Sequence, residues 1–115
     1  MRCLIVDDSE EFLASARRLL ESQGLEIVAA ATSGADAVRL AGELAPDVAL
    51  VDVELGGEDG FSVARELQAR LPATRVALIS SYSPEDLPSL RLDTRRVTFL
   101  PKTGLGAGAI ADLCR

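Results

Sequence analysis

Residues 3–9 read Cys-Leu-Ile-Val-Asp-Asp-Ser, and this stretch contains the features that decide the fold. Four apolar residues predict a short buried strand, two carboxylates follow it directly, and serine is a common cap at helix N-termini. A strand that passes through a short turn into a helix is the repeating unit of α/β proteins. We therefore expect the chain to begin with such a unit.

Four further apolar runs occupy residues 26–30, 48–51, 76–79 and 97–100. Most of them lack strict alternation of apolar and polar residues, which is typical of parallel strands covered on both faces. With residues 3–6 they predict an α/β fold, a doubly wound five-stranded parallel sheet with helices on both faces. No linker, repeat or low-complexity tract interrupts the sequence, so we expect one domain over residues 1–115.

Helical patterns separate the runs. The first is capped by Ser9 and ends near Gly24, and its apolar residues recur at helical spacing and are expected to face inward: Phe12, Leu13, Ala16, Leu19 and Leu20. The second covers about residues 33–43, and the third covers about residues 60–71. We expect a shortened fourth helix from Ser83, because a proline follows within its first turns, and a fifth helix over residues 105–113 that begins late or frays at its glycines.

The composition excludes several classes of protein. The chain has 12 Lys and Arg against 18 Asp and Glu, a net charge of −6, and no histidine. Metal centres with histidine ligands and Ser-His-Asp hydrolases are excluded, and so acidic a chain is not expected to bind nucleic acid directly. Cys3 and Cys114 show no pairing pattern, and no apolar run is long enough to span a membrane, so we expect a cytoplasmic protein with free thiols.

Carboxylates follow two of the predicted strands. Asp7 and Asp8 come directly after the first apolar run, and Asp52 comes directly after the third. Ligands of open parallel sheets bind at the carboxyl ends of the strands, so these three side chains are expected to meet there. Their repulsion would be relieved by a cation, and oxygen ligands of this kind suit Mg²⁺. The alternative is that they only cap the first helix and a loop.

Ser80 and Lys102 end the fourth and fifth apolar runs, at the same predicted edge. A hydroxyl and an ammonium group there could bind the oxygens of a transferred phosphoryl group. Taken singly, each has a plainer explanation, since serine is a turn former and lysine is a common exposed charge.

Asp7, Asp8, Asp52, Ser80 and Lys102, each at a strand end and in this order, resemble the receiver domain of two-component response regulators. Residues 52–60 resemble the loop after the phosphorylation site, and residues 99–103 resemble the fifth strand of the subfamily with C-terminal helix-turn-helix outputs. The resemblance implies the flavodoxin-like strand order 2-1-3-4-5.

The resemblance also implies site chemistry. Asp52 would be the nucleophile that forms an acyl phosphate. Asp8 would ligate Mg²⁺ directly, Asp7 mostly through water, and Glu54 through its backbone carbonyl. Lys102 would pair with phosphoryl oxygens and Ser80 would donate a hydrogen bond to one of them, so the only reactions catalysed would be the chain's own phosphorylation and dephosphorylation.

Partners follow from the same resemblance. Because the chain has no histidine, the phosphoryl donor would be a sensor histidine kinase, a phosphotransfer protein or a small phosphodonor. Movement of Ser80 toward the phosphoryl group would let Phe99 turn inward and repack the surface made by the fourth helix, fifth strand and fifth helix, where an output domain, a partner protein or a second copy would bind. Phe99 could instead be an ordinary core aromatic residue.

The sequence departs from the family pattern at several places. Gly56 replaces a frequent proline, which indicates a more flexible loop, and Thr103 stands where many relatives have proline. Glu54 and Tyr82 would border the path of the hydrolytic water. Gly56 and an unusual fourth-helix region over residues 83–96 keep open a receiver-like interaction module that works without phosphorylation. A magnesium-dependent phosphatase or nucleotide-binding enzyme is disfavoured because no glycine-rich phosphate loop follows the first strand. The chain is expected to be either a stand-alone receiver or part of a longer regulator.

Overall fold

The five apolar runs form one parallel sheet. The computed structural model describes residues 1–80, 98–102 and 105–113, with side chains up to residue 111. The sheet order is β2-β1-β3-β4-β5, and every adjacent pair is parallel, so the predicted doubly wound sheet and strand order 2-1-3-4-5 are confirmed. The strands are β1 (Arg2–Val6), β2 (Glu26–Ala31), β3 (Val48–Asp52), β4 (Arg75–Ser80) and β5 (Thr98–Pro101).

Four helices are described: α1 (Glu10–Ser22), α2 (Gly34–Leu44), α3 (Gly60–Arg70) and α4 (Ala107–Leu113). The Ser9 hydroxyl accepts a hydrogen bond from the Phe12 amide and caps α1, as predicted. Gly24 follows the end of α1 with a φ of +93°, a left-handed conformation that glycine adopts without strain. The helix predicted from Ser83 lies outside the described residues.

Two apolar clusters cover the two faces of the sheet. Alternate residues of β1 point to opposite faces, so Leu4 and Val6 pack toward α2 and α3, whereas Cys3 and Ile5 pack toward α1 and α4. This arrangement confirms helices on both faces and explains why the strands read as continuous apolar runs.

Two expectations for the helices are refined by the structure. The last helix begins at Ala107, two residues after the predicted start, which agrees with the late start expected from its glycines. Leu19, predicted on the inward stripe of α1, is instead 43% exposed. Among the described helices, none is both long and apolar enough to cross a membrane.

Candidate functional site

Three carboxylates meet at the carboxyl edge of the sheet. Asp7 and Asp8 directly follow β1, and Asp52 is the last residue of β3, the strand beside it. One carboxylate oxygen from each lies within 4.8 Å of the others. The structure therefore brings together the three acidic residues that the sequence placed at this edge.

Asp7 is the deepest member of the group, with no exposed surface. Its backbone amide donates to the Ala31 carbonyl at 3.0 Å, which ties the end of β1 to β2. Its Oδ1 atom accepts a hydrogen bond from the Ser9 amide at 2.9 Å, and its Oδ2 atom lies 2.7 Å from Nζ of Lys102. A buried charge requires such partners, and the lysine supplies the opposite charge.

Asp52 is also buried, with 6% of its surface exposed. Its Oδ1 atom accepts a hydrogen bond from the Glu54 amide at 3.3 Å, and its Oδ2 atom lies 3.4 Å from Nζ of Lys102. Burial raises the pKa of Asp52 to about 6, and the charge of Asp7 adds to this rise against the lowering effects of the Glu54 amide and of Lys102. At neutral pH the carboxylate is still mostly ionised.

Lys102 follows β5 and places its ammonium group between the two buried carboxylates. Burial lowers the pKa of Lys102, but the hydrogen bond to Asp7 and the charges of both aspartates outweigh it and leave the pKa above its usual value. The ammonium group is therefore charged at neutral pH. It also lies 4.2 Å from the centroid of the Phe12 ring, a contact that the sequence did not predict.

The carboxylates open onto a pocket of about 230 Å³. Its lining residues are Asp8, Asp52, Val53, Glu54, Gly56, Gly57, Ser80 and Lys102. Ser80, at the end of β4, is 3% exposed and reaches this pocket, as its position in the sequence predicted. Asp8 is exposed, so the pocket has one accessible acidic residue, and Lys102 brings a positive charge to the same lining.

The loop after Asp52 contains a short antiparallel hairpin that the sequence did not predict, between Glu54–Leu55 and Glu58–Asp59. Gly56 and Gly57 make its turn with φ of +51° and +95°, and a Cβ atom on Gly56 would lie 3.4 Å from Oδ2 of Asp8. The expected flexibility of this loop is not tested, but glycine fits both this backbone and the narrow approach to Asp8.

Phe99 lies on β5, paired with Leu78 of β4, two residues before Ser80. Its ring is half-buried and makes an edge contact with the Phe61 ring at a centroid distance of 6.0 Å. The predicted role of Phe99 as a switch is not tested by this geometry. Tyr82 and Thr103 lie outside the described residues.

The donor set fits a hard divalent cation. Three carboxylates converge, two of them, Asp8 and Asp52, on residues that line the pocket, and Glu54 lines the same space. Oxygen ligands favour Mg²⁺ over zinc, and the chain has no histidine to offer a softer ligand. The residues present therefore fit a site for a divalent cation that prefers oxygen ligands.

Comparisons of the sequence with known proteins point to one protein family. The family model of the response regulator receiver domain matches residues 3–107. The transcriptional regulatory protein LiaR of Bacillus subtilis is 31% identical over 116 residues, which cover 100% of this chain and 54% of LiaR. Protein-glutamate methylesterase/protein-glutamine glutaminase 5 of Myxococcus xanthus is 41% identical over 86 residues, which cover 74% of this chain and 25% of that protein.

A solved structure gives the same result. The signal receiver domain of the putative response regulator NarL from Mycobacterium tuberculosis superposes with a TM-score of 0.83 at 30% identity, covering 98% of this chain and 94% of that one. The chain spans about half of LiaR and a smaller share of the methylesterase.

Proposed function

This chain belongs to the response regulator receiver domain family, and from that premise we propose that it is a signalling receiver switched by phosphorylation of Asp52. The observation that carries the proposal is the placement of Asp52, a buried carboxylate that lines the pocket and has the Lys102 ammonium group 3.4 Å away. An acidic pocket with such a lysine is typical of phosphoacceptor receivers.

The proposed reaction is a transfer of a phosphoryl group to a carboxylate. An oxygen of Asp52 forms a bond to phosphorus while the bond between phosphorus and the donor breaks. If the donor is a phosphohistidine, the imidazole nitrogen keeps the electron pair of that bond and takes up a proton; if it is acetyl phosphate, acetate leaves. Asp52 must be ionised to attack, which its pKa of about 6 allows at neutral pH.

The other pocket residues bind the transferred group. Lys102 offers a positive charge to the phosphoryl oxygens, and Ser80 offers a hydroxyl donor from the neighbouring strand end. Lys102 and Ser80 form no bond to phosphorus, so their contribution is positioning and charge stabilisation.

Mg²⁺ is the cofactor we assign to the pocket, and when bound it would neutralise negative charge on the phosphoryl group. Asp8 and Asp52 would hold it directly, Asp7 through water, and Glu54 through its backbone carbonyl. Asp7 would act from beneath the pocket, since it is fully buried.

The partners are part of the same proposal. The chain contains no histidine, so a sensor histidine kinase or phosphotransfer protein would supply the phosphoryl group. Ser80 and Phe99 would transmit the change to the surface around β5 and α4, where an output domain, a partner protein or a second copy binds. Residues 1–115 would act as one receiver unit in the cytoplasm.

The output function that this receiver would control is inferred from relatives of different kinds. One is a transcriptional regulatory protein and another a protein-glutamate methylesterase, so a shared receiver serves different outputs. The features of residues 99–103 favour a DNA-binding output in a longer protein.

Mass spectrometry tests the phosphorylation directly. Incubation with Mg²⁺ and acetyl phosphate or phosphoramidate should add one phosphoryl group to the intact chain, and the Asp52→Asn variant should gain none. Asp36→Asn is the matched control, since Asp36 lies on α2 in an exposed ion pair outside the pocket and its loss should leave the adduct unchanged.

The outcome that contradicts the proposal is equally clear. No adduct on the wild-type chain, with partner binding unchanged by Asp52→Asn, would support the receiver-like interaction module instead. Steady turnover of a phosphate ester would indicate an enzyme.

A further inference from the structure

The Phe12 ring lies against the one lysine of the chain. Lys102 is the only lysine in the sequence, and its ammonium nitrogen lies 4.2 Å from the Phe12 ring centroid. A cation above an aromatic face within about 6 Å is attracted by the negative face of the ring. Among the residues that the structure describes, the ammonium group thus contacts Asp7 at 2.7 Å, Asp52 at 3.4 Å and the ring.

The Phe12 contact differs in kind from the other two. Both carboxylates belong to the group whose oxygens converge as a cation site, so a bound divalent cation competes with Lys102 for them. The ring offers no oxygen and does not bind Mg²⁺. Of these three contacts, the ring is the one that a divalent cation leaves in place.

The position of Phe12 in the fold supports a fixed contact. Phe12 lies in the first turn of α1, whose N-terminus is held by the Ser9 hydroxyl bonded to the Phe12 amide at 3.1 Å. The ring is half-buried and packs on the apolar cluster between the sheet and α1. Asp7 and Asp8 therefore lie just before the cap of the helix whose first turn holds the ring over Lys102, four residues after Asp8.

We propose that Phe12 is a positioning residue that keeps the Lys102 ammonium group at the pocket when a divalent cation occupies the carboxylates. The side chain of Lys102 does not hold its own ammonium group at the pocket, because its four-carbon stem is flexible. The ring also leaves the ammonium hydrogens free to donate to an incoming phosphoryl oxygen, which a third carboxylate would not. The contact between Phe12 and Lys102 rests on the geometry alone. Its expected effect on the rate of phosphorylation rests on the proposed function.

An NMR experiment that follows one lysine resonance tests the contact between Lys102 and Phe12. Because the chain has one lysine, ¹³C labelling of lysine at the ε carbon gives one resonance, whose attached protons shift upfield when they lie over an aromatic ring. We expect an upfield shift in the wild-type chain that persists as MgCl₂ is added. In Phe12→Leu the shift should vanish, and addition of MgCl₂ should bring the resonance to the narrow line of a mobile side chain.

Two control variants show whether the shift of the Lys102 resonance depends on an aromatic ring at position 12. Phe12→Tyr keeps the aromatic face and should retain the shift, whereas Phe61→Leu removes a half-buried ring on α3 and should leave the Lys102 resonance where it is. Urea unfolding of each variant shows whether it is folded under the conditions of the experiment. Equal loss of the shift in Phe12→Tyr and Phe12→Leu, or an unchanged shift in Phe12→Leu, would overturn the proposal.

The kinetic consequence is measured on the same variants. At saturating acetyl phosphate and MgCl₂, Phe12→Leu should slow phosphorylation of Asp52 about 2- to 10-fold, the range expected for loss of one cation–π contact. In a Lys102→Met background, Phe12→Leu should cause no further loss, because no ammonium group remains to be positioned. Additive losses in the two variants contradict the proposal. If the wild-type chain gains no phosphoryl group while the NMR shift depends on the ring, the positioning stands and the proposed function fails.

Discussion

The Nζ atom of Lys102 lies 2.7 Å from Oδ2 of Asp7, a carboxylate with no exposed surface. This ion pair is shorter than the contact of the same lysine with Asp52, at 3.4 Å. The lysine therefore places one positive charge beside the carboxylate buried beneath the pocket and beside the one in its wall. We expect it to stabilise the fold in addition to any role toward phosphate.

The first prediction concerns removal of that lysine. Lys102→Met leaves Asp7 buried without its counter-charge, so the free energy of unfolding without divalent cations should fall by about 3–5 kcal/mol. Urea unfolding measures the change, and added MgCl₂ should recover most of it. Arg17→Met is the control, because the Arg17–Glu21 pair at 3.4 Å is half-exposed and should contribute less than about 1 kcal/mol. Equal losses in the two variants would show that the buried pair does not stabilise the fold.

The second prediction concerns the pH dependence of Asp52. Its pKa in the folded chain is about 6, against an ordinary value of 3.8, so the folded state binds the proton more tightly than the unfolded state. Ionisation of Asp52 therefore destabilises the fold progressively between about pH 4 and pH 6, and the full cost remains above pH 6. Asp52→Asn should stabilise the chain by about 1–3 kcal/mol at pH 7.5 without divalent cations and by much less at pH 4.

Thermal and urea unfolding at the two pH values give this difference. The asparagine oxygen can still accept the Glu54 amide hydrogen bond, so the comparison isolates the charge. Added MgCl₂ should reduce the stability gained by Asp52→Asn at pH 7.5, because the cation binds the wild-type chain more tightly than the variant and stabilises it more. A gain of equal size at pH 4 and pH 7.5 would mean that the effect of the substitution is unrelated to ionisation.

Much of the fold and of the pocket could be predicted from local patterns. Apolar runs between helical patterns indicated the sheet, and residues at or just after the ends of strands, such as Asp8, Asp52 and Lys102, are brought together by parallel topology alone. Ser9 and Gly24 were predicted as helix boundaries from their residue types, and both are confirmed.

Contacts that depend on three-dimensional distance were missed. Phe12 read as one more apolar residue of α1, and only the folded chain places its ring beside Lys102, 90 residues later in the sequence. The hairpin between Glu54 and Asp59 has two-residue strands, too short for alternation to reveal. The prediction that Leu19 faces inward was wrong, because the buried face of α1 covers fewer positions than the apolar residues of the helix do.

The third prediction uses a glycine at a close approach of two backbones. A Cβ atom on Gly60, the first residue of α3, would overlap the backbone carbonyl oxygen of Asp52. Gly60→Ala should therefore destabilise the chain by about 2–4 kcal/mol and weaken Mg²⁺ binding by moving Asp52. Isothermal titration with MgCl₂ and urea unfolding check both effects.

Gly42 is the matched control for Gly60. It lies inside α2 with no atom within 4 Å of a Cβ atom built on it. Gly42→Ala should stabilise the chain by up to about 1 kcal/mol, because alanine is the better helix former, and should leave Mg²⁺ binding unchanged. Similar destabilisation by both substitutions would contradict the assignment of a specific clash at Gly60.

The fourth prediction concerns Glu58, which connects the loop after Asp52 to another helix. Its two carboxylate oxygens lie 3.3 and 3.2 Å from the amide nitrogen of Gly34, the first residue of α2. A negative charge at a helix N-terminus is stabilising, and the contact also restrains the loop that follows Asp52. Glu58→Ala should lower the free energy of unfolding by about 1 kcal/mol, and Glu58→Gln, which keeps an acceptor oxygen, by about half as much.

Glu43 and Gly34 supply the controls for this contact. Glu43 lies near the C-terminus of α2, where a negative charge is unfavourable, so Glu43→Ala should be close to neutral despite losing a 3.6 Å pair with Arg39. In Gly34→Ala the new Cβ atom would lie 2.7 Å from Cγ2 of Val63 and 2.9 Å from Oε1 of Glu58, so the methyl group should displace both the valine side chain and the carboxylate. Glu58→Ala should then cost little further stability in that background. If the two losses instead add in full, Glu58 stabilises the chain by a route other than the N-terminus of α2.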